Sequence, residues 1–222
     1  MSLVRKYLEQ FVTENRLNVF NHALENRTRY FTVALEDLFQ SHNASAVLRS
    51  CDCFGIQDVH IIENKNEYTI NPDVSLGSSK WLSLYRYNQA ANNTAKAIAL
   101  LKDQGYRIVA TVPRESGVPL EEFDIEKGKA AFLFGTELHG LSGEAIKLSD
   151  ESLYIPMHGF TESFNISVSA AIILHYLSYK LRSSEINWKL DEEEKEDLFL
   201  DWLRKSIKRS ELLERQFWNN ID

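Results

Sequence analysis

Residues 130–142 read Ala130-Ala131-Phe132-Leu133-Phe134-Gly135-Thr136-Glu137-Leu138-His139-Gly140-Leu141-Ser142, an unbroken apolar run that stops at a glycine and gives way to a polar turn. A continuous apolar run of this length suits a strand covered on both faces, which is the hallmark of a parallel sheet. The same texture recurs at Thr32-Val33-Ala34-Leu35, Val59-His60-Ile61-Ile62, Arg107 to Val112 and Leu153-Tyr154-Ile155. Between these runs lie helical patterns over residues 43–54, 88–104 and 165–181, the first two stopping at Gly55 and Gly105. Strands alternating with helices predict an α/β fold with a mainly parallel sheet. Trp81-Leu82-Ser83-Leu84-Tyr85 is compatible with a further short strand or a loop, and no internal repeat is present.

Outside this alternation the texture changes. Residues 3–12 and 191–215 carry apolar residues at helical spacing among charges, so the expected organisation is a helical N-terminal extension over 1–29, an α/β domain over 30–182 and a helical C-terminal extension over 183–222. The 222 residues are 44% apolar and 26% charged, an ordinary globular composition that excludes disorder and low-complexity scaffolds. No run approaches the length of a membrane span and the N-terminus lacks an apolar stretch fit for a signal peptide, so the expected address is the cytoplasm. Cys51 and Cys53 are too few and too close to build a metal site alone, and are read as two buried thiols.

Net charge is −7, which by itself argues against a polyanionic partner. Its distribution reverses that hint. Six acids and one lysine between Asp191 and Asp197 account for −5, whereas residues 1–29 carry +2 and residues 204–209 carry +4. Both ends are locally basic, and Arg27, Arg29, Lys205, Lys208 and Arg209 are the candidate phosphate contacts, with a solvated helix face as the alternative for each.

Three polar clusters interrupt the alternation. Ser41-His42-Asn43 follows a strand and opens a helix, where Ser41 or Asn43 can cap it and where Asn43 and Arg49, nearly two turns apart, are expected to share roughly one side. Phe134 to Ser142 falls at a strand C-terminus, the end at which open α/β sheets bind ligands. Gly135 and Gly140 superficially resemble a phosphate loop, but no Lys-Ser/Thr follows and no GxGxxG is present, which excludes Walker-type and dinucleotide sites. Ile155 to Ala171 runs from a strand end through a Gly-containing loop into a helix whose start bears Ser163, Asn165 and Ser167. A helix cap accounts for one of these polar residues and leaves the others unexplained.

In this order and spacing, N-x5-R at Asn43 to Arg49, F-G-x-E-x-x-G-L-S at Phe134 to Ser142 and I-P-M-x-G-x-x-x-S-x-N-x-S at Ile155 to Ser167 resemble the three motifs of the SPOUT superfamily, specifically its SpoU-type RNA 2'-O-ribose methyltransferases. With the strand before the first motif and Gly77-Ser78-Ser79-Lys80-Trp81, the resemblance covers about 150 residues. It implies a C-terminal deep trefoil knot, S-adenosylmethionine as cofactor, no metal, and a homodimer built largely on the third-motif helix. Thr111, Gly135, Ile155, Met157 and Phe164 would then surround the cofactor, Phe164 standing where the usual residue is Leu. Arg49 would contact substrate phosphate, Asn43 would orient Arg49 or the ribose, and Glu137, Ser163 and Asn165 would organise the loops and substrate. Structural support alone is the alternative for Glu137. His139 and His158 occupy variable positions of the motifs, and His42 is expected to serve structurally.

Many relatives acting on ribosomal RNA carry a separate N-terminal RNA-binding domain. Here about 30 helical residues precede the first catalytic strand, which resembles the tRNA enzymes that methylate guanosine 18 of the D-loop. Ribosomal RNA is the alternative substrate, and an inactive RNA-binding relative is the further one.

Overall fold

The computed structural model describes residues 3–38, 41–67, 77–113 and 116–219. It contains helices α1 (Leu3–Glu9) and α2 (Glu14–Leu24), then β1 (Phe31–Glu36), α3 (Ser41–Phe54), β2 (Asp58–Ile62), β3 (Ser83–Tyr87), α4 (Thr94–Asp103), β4 (Arg107–Thr111) and β5 (Val118–Pro119). β6 (Ala130–Phe134), α5 (Gly143–Leu148), β7 (Glu151–Tyr154), α6 (Ile166–Arg182), α7 (Glu192–Ser206) and α8 (Ser210–Asn219) complete the described elements.

The strands form one sheet in the order β3-β2-β1-β6-β4-β7-β5, every neighbouring pair parallel. β1, β2 and β6 are buried along their whole length. Their side chains alternate between two apolar layers, as the period of two requires. Phe31, Val33, Leu35, Val109, Phe132 and Phe134 enter the larger layer with Leu174 and Leu177 of α6, while Ala34, Ile108, Ala110, Ala131 and Leu133 enter the other with Ile98 and Leu101 of α4. Edge-on contact of Phe31 and Phe132, centroids 5.4 Å apart, adds aromatic packing to the larger layer.

Trp81 to Tyr85 thus overlaps a genuine strand, β3. β5 is a two-residue edge strand with a proline, placed where a missing N–H breaks no interior ladder. The C-terminal helical pattern is two helices, because Ile207 is extended and Arg209 adopts a left-handed φ of 60° before α8 starts. Cys51 is buried but Cys53 is exposed, correcting the expectation that both are buried: two positions apart on α3, the thiols leave the helix about 200° apart.

The chain divides into two compact units, one made of the segments up to Arg27 and from Lys189, the other of Thr28–Trp188. The terminal helices therefore belong together. Residues 183–188, read above as part of the C-terminal extension, stay with the sheet unit: Thr28 Oγ1 donates to the Trp188 carbonyl at 2.6 Å, and Ile186 and Trp188 pack on the larger apolar layer. In the helical unit, Phe20 meets Phe199 and Trp202 at centroid distances of 5.7 and 5.5 Å. No helix among the described residues is long and apolar enough to cross a membrane.

Candidate active site

The C-terminal ends of β4, β6 and β7 surround a cavity of about 350 Å³. Thr111, Gly135, Ile155, Met157 and Phe164 all line it, together with Leu141 of the second motif and with Ile146, Leu153 and Ile166, which the motifs do not single out. Thr111 Oγ1 donates to the Leu133 carbonyl at 2.7 Å, tying the end of β4 to β6.

The loop after β6 closes on itself. Thr136 N–H donates to the Gly140 carbonyl and Gly140 N–H to the Thr136 carbonyl, each at 2.9 Å. At Gly135 there is no room for a side chain: a Cβ would stand 2.1 Å from the Gly140 carbonyl and 2.2 Å from Leu141 N. Gly140, with φ of 67°, makes the reversal. Ser142 then caps α5, accepting from Ala145 N–H at 3.0 Å, and is itself held by Glu36. The Ser142 amide and hydroxyl donate to the two Glu36 carboxylate oxygens at 2.8 and 2.7 Å, and Thr94 Oγ1 donates at 2.6 Å. Glu36 is buried at 3% exposure, so this triple satisfaction is what makes its charge tolerable there. Sequence reading missed Glu36; its one signal is an acid ending the apolar run Phe31-Thr32-Val33-Ala34-Leu35.

Asn165 draws the three motifs together. Capping α6, its Oδ1 accepts from the backbone N–H and hydroxyl of Ser167 at 2.8 and 2.6 Å. Its Nδ2 faces the other way, donating to Asn43 Oδ1 at 3.2 Å and to Glu137 Oε1. Cap and hub are the same amide. Ser163 lines the cavity and makes no hydrogen bond among the described residues.

Asn43 and Arg49 do not share a side of α3. Six residues advance about 600°, leaving them about 120° apart, and Asn43 is buried at 7% exposure while Arg49 is exposed. Nor does Asn43 cap the helix, which begins at Ser41; the Ser41 side chain lies outside the described residues. Among the described residues Arg49 forms no hydrogen bond or ion pair, leaving its guanidinium available to an external anion. His42, His139 and His158 are exposed, and His139 borders the cavity.

The candidate phosphate contacts separate. Arg27 is corrected to a structural role: it is 4% exposed, with its guanidinium 5.4 Å from the Trp202 ring centroid, so it presents no surface to phosphate. Arg29 pairs with Asp58 at 3.0 Å and Lys205 with Asp201 at 2.6 Å. Lys208 and Arg209 are exposed and make no ion pair among the described residues.

Residues 30–175 match the SpoU rRNA Methylase family. The tRNA (guanosine(18)-2'-O)-methyltransferase of Borreliella burgdorferi is 44% identical over 207 residues, 93% of each chain. The protein of the same name from Thermus thermophilus is 34% identical over 87% of this chain and 98% of its own. Among solved structures, the TrmH/SpoU tRNA modifying enzyme of A. aeolicus superposes with a TM-score of 0.77 at 27% identity, covering 88% of this chain and 98% of that one. The three hydrogen-bonded motifs all lie inside the matched residues, and the chain belongs to the SpoU methylase family.

Proposed function

We propose that the protein methylates the ribose 2'-hydroxyl of guanosine 18 in tRNA, using S-adenosylmethionine, in the cytoplasm and as a homodimer. The observation that carries this reading is the convergence of Asn43, Glu137 and Asn165 beside a cavity at the strand ends, in a chain 44% identical to a tRNA guanosine-18 methyltransferase along nearly its whole length. The cavity fits the cofactor in kind: Leu141, Ile155, Met157 and Phe164 offer apolar walls for an aromatic ring, and Thr136, Glu162 and Ser163 offer polar groups for the rest. When bound, the cofactor supplies a sulfonium methyl group with a good leaving group already in place.

The protein's own work is then alignment and charge stabilisation. Arg49 holds the adjacent phosphate and stabilises negative charge on the attacking oxygen; as a permanent cation it does not take the proton. Asn165 fixes Asn43 and Glu137 relative to each other, and Ser163 lies on the cavity side of the same segment. Lys208 and Arg209 contact the tRNA backbone.

The same reading includes a trefoil knot formed by the segments through the second and third motifs. It is supported by the self-closed loop at Gly135 to Gly140 and by the position of β7 beside β4 rather than beside β6. Dimerisation is supported by α6, where Val168 and Tyr179, three turns apart on one face, are 43% and 71% exposed.

Transfer of labelled methyl to total tRNA, with the modified nucleotide then mapped, tests the reading. Label at guanosine 18 is expected; label in ribosomal RNA alone refutes the substrate. Arg49→Lys keeps the charge and loses the planar fork, and a ten- to hundred-fold loss of turnover is expected. Near-normal turnover would remove the guanidinium from the mechanism.

A further inference from the structure

Next to the cavity at the strand ends lies a second one, of about 370 Å³, walled by Leu38, Leu138 and Ile166 and bordered by Asn43, Asn66 and Glu137. Both cavities share Glu137 and Leu138, so they adjoin at Glu137, a residue assigned to the reaction. Asn66, Thr136 and His139 are the polar side chains lining it that the hydrogen-bonded hub does not use, and an unusual arrangement holds Asn66. Asp37, immediately after β1, has a φ of 56°. Its Oδ1 accepts three successive backbone N–H groups, from Asn64 at 3.1 Å, Lys65 at 2.8 Å and Asn66 at 2.8 Å. Its carbonyl accepts from Asn66 Nδ2 at 2.9 Å. A non-glycine residue persists in the left-handed region where its surroundings fix it, and Asp is among the few types that tolerate it.

This arrangement settles which end of the Asn66 amide is on offer. Turning the carboxamide over would set its oxygen against the Asp37 carbonyl, two acceptors face to face. One N–H of the amino end is therefore committed to Asp37, which fixes the orientation of the amide, and the oxygen makes no hydrogen bond among the described residues. A fixed acceptor beside apolar walls complements a base whose edge carries N–H donors. Guanine presents two adjacent donors there, N1–H and the 2-amine, whereas adenine has a single donor on that edge, the 6-amine, beside an N1 lone pair that the acceptor repels.

We propose that the second cavity receives the target base, that the Asn66 carboxamide oxygen reads the guanine edge, and that Asp37 is its positioning residue. The inference rests on the methyl-transfer reading above. It is tested with the full-length protein and tRNA transcripts bearing guanosine, inosine or adenosine at position 18. Inosine lacks the 2-amine and adenosine lacks both donors. Wild-type kcat/KM should fall in that order, by about ten- to hundred-fold between guanosine and adenosine. Asn66→Ala should lower the guanosine value by a similar factor and leave the adenosine value nearly unchanged, so that the preference collapses while calorimetric affinity for S-adenosylmethionine stays the same. Asp37→Ala should collapse the preference in the same way, also without loss of cofactor affinity.

Equal losses on all three transcripts would overturn base reading by Asn66. A wild-type enzyme that treats the three alike would overturn it without recourse to any variant. Transfer without base preference sinks this inference alone, and no transfer to any transcript sinks the methyl-transfer reading along with it.

Discussion

The sheet unit and the helical unit use polar residues in opposite ways. In the sheet unit, polar side chains converge: Asn165 holds Asn43 and Glu137, Glu36 holds Ser142 and Thr94, and Asp37 holds the turn that carries Asn66. In the helical unit, charge is cancelled where it stands. Arg5 pairs with Glu9 and Glu196, Lys195 with Glu25 and Glu192, and Arg204 with Glu214 in a two-pronged contact at 2.7 and 3.0 Å. Counting charge by segment therefore overstates the basic surface of the chain ends, because a pair at the surface contributes about 0 to 1 kcal/mol to stability and offers no cation to a partner. What survives the pairing includes the exposed Lys6, Arg215, Lys208 and Arg209, the last two in the short turn between α7 and α8.

The contrast can be broken first at Gly135. Ala there forces a methyl group onto the Gly140 backbone, so the closed loop must open; a stability loss of about 3 kcal/mol or more and loss of cofactor binding are expected, read by thermal unfolding and calorimetry. Gly143→Ala, where an added Cβ meets nothing within 4 Å, should change neither. Second in size is Asn165→Asp. It keeps the capping acceptor of α6 but loses the donor to Asn43 and Glu137, so turnover should fall about a hundred- to a thousand-fold while the melting temperature changes little. A parallel loss of stability would make the hub a folding device only.

A third test exploits His60, buried in the sheet and stacked on Tyr85 and Tyr87 with centroids 4.9 and 5.8 Å away, its Nδ1 2.8 Å from the Tyr87 hydroxyl. Burial lowers its pKa to about 4. In the unfolded chain the imidazole titrates near 6.5, so the stability it contributes is complete above about pH 6.5 and lost as pH falls from there toward 4. The loss amounts to about 3 kcal/mol when complete, and His60→Gln should flatten that part of a denaturation series taken against pH. The smallest effect belongs to the helical unit: Lys208→Ala with Arg209→Ala should weaken tRNA binding modestly and reduce the salt slope by about 1 to 2, leaving turnover at saturating tRNA unchanged. An unaltered slope would show that these two cations do not meet phosphate.

Much of the sheet was legible because a buried parallel strand needs a mostly apolar run, and β1, β2, β4 and β6 each have one, whereas β7 shares only Leu153 and Tyr154 with the apolar run at 153–155. β5 was not, because two residues carry no period and its place is set by pairing with β7. The motifs marked Asn43, Glu137 and Asn165 as residues of interest, but their hydrogen bonds depend on crossings between distant segments. Arg27 read as a surface cation because its partner ring, Trp202, lies far along the chain. Glu36 and His60 were hidden for a different reason: a polar residue inside an apolar run passes as strand texture, and its burial becomes apparent only once the covering layers are in place.

The two bonds made by the Asn165 amino group span 122 and 28 residues of sequence. Contacts of such separation form late, after most of the chain entropy has been given up. The site therefore reports on completion of the fold: a chain emerging during synthesis has no assembled hub until α6 has been made and has docked. In a refolding experiment, catalytic activity should return with the slowest phase, behind the recovery of helix and sheet signal.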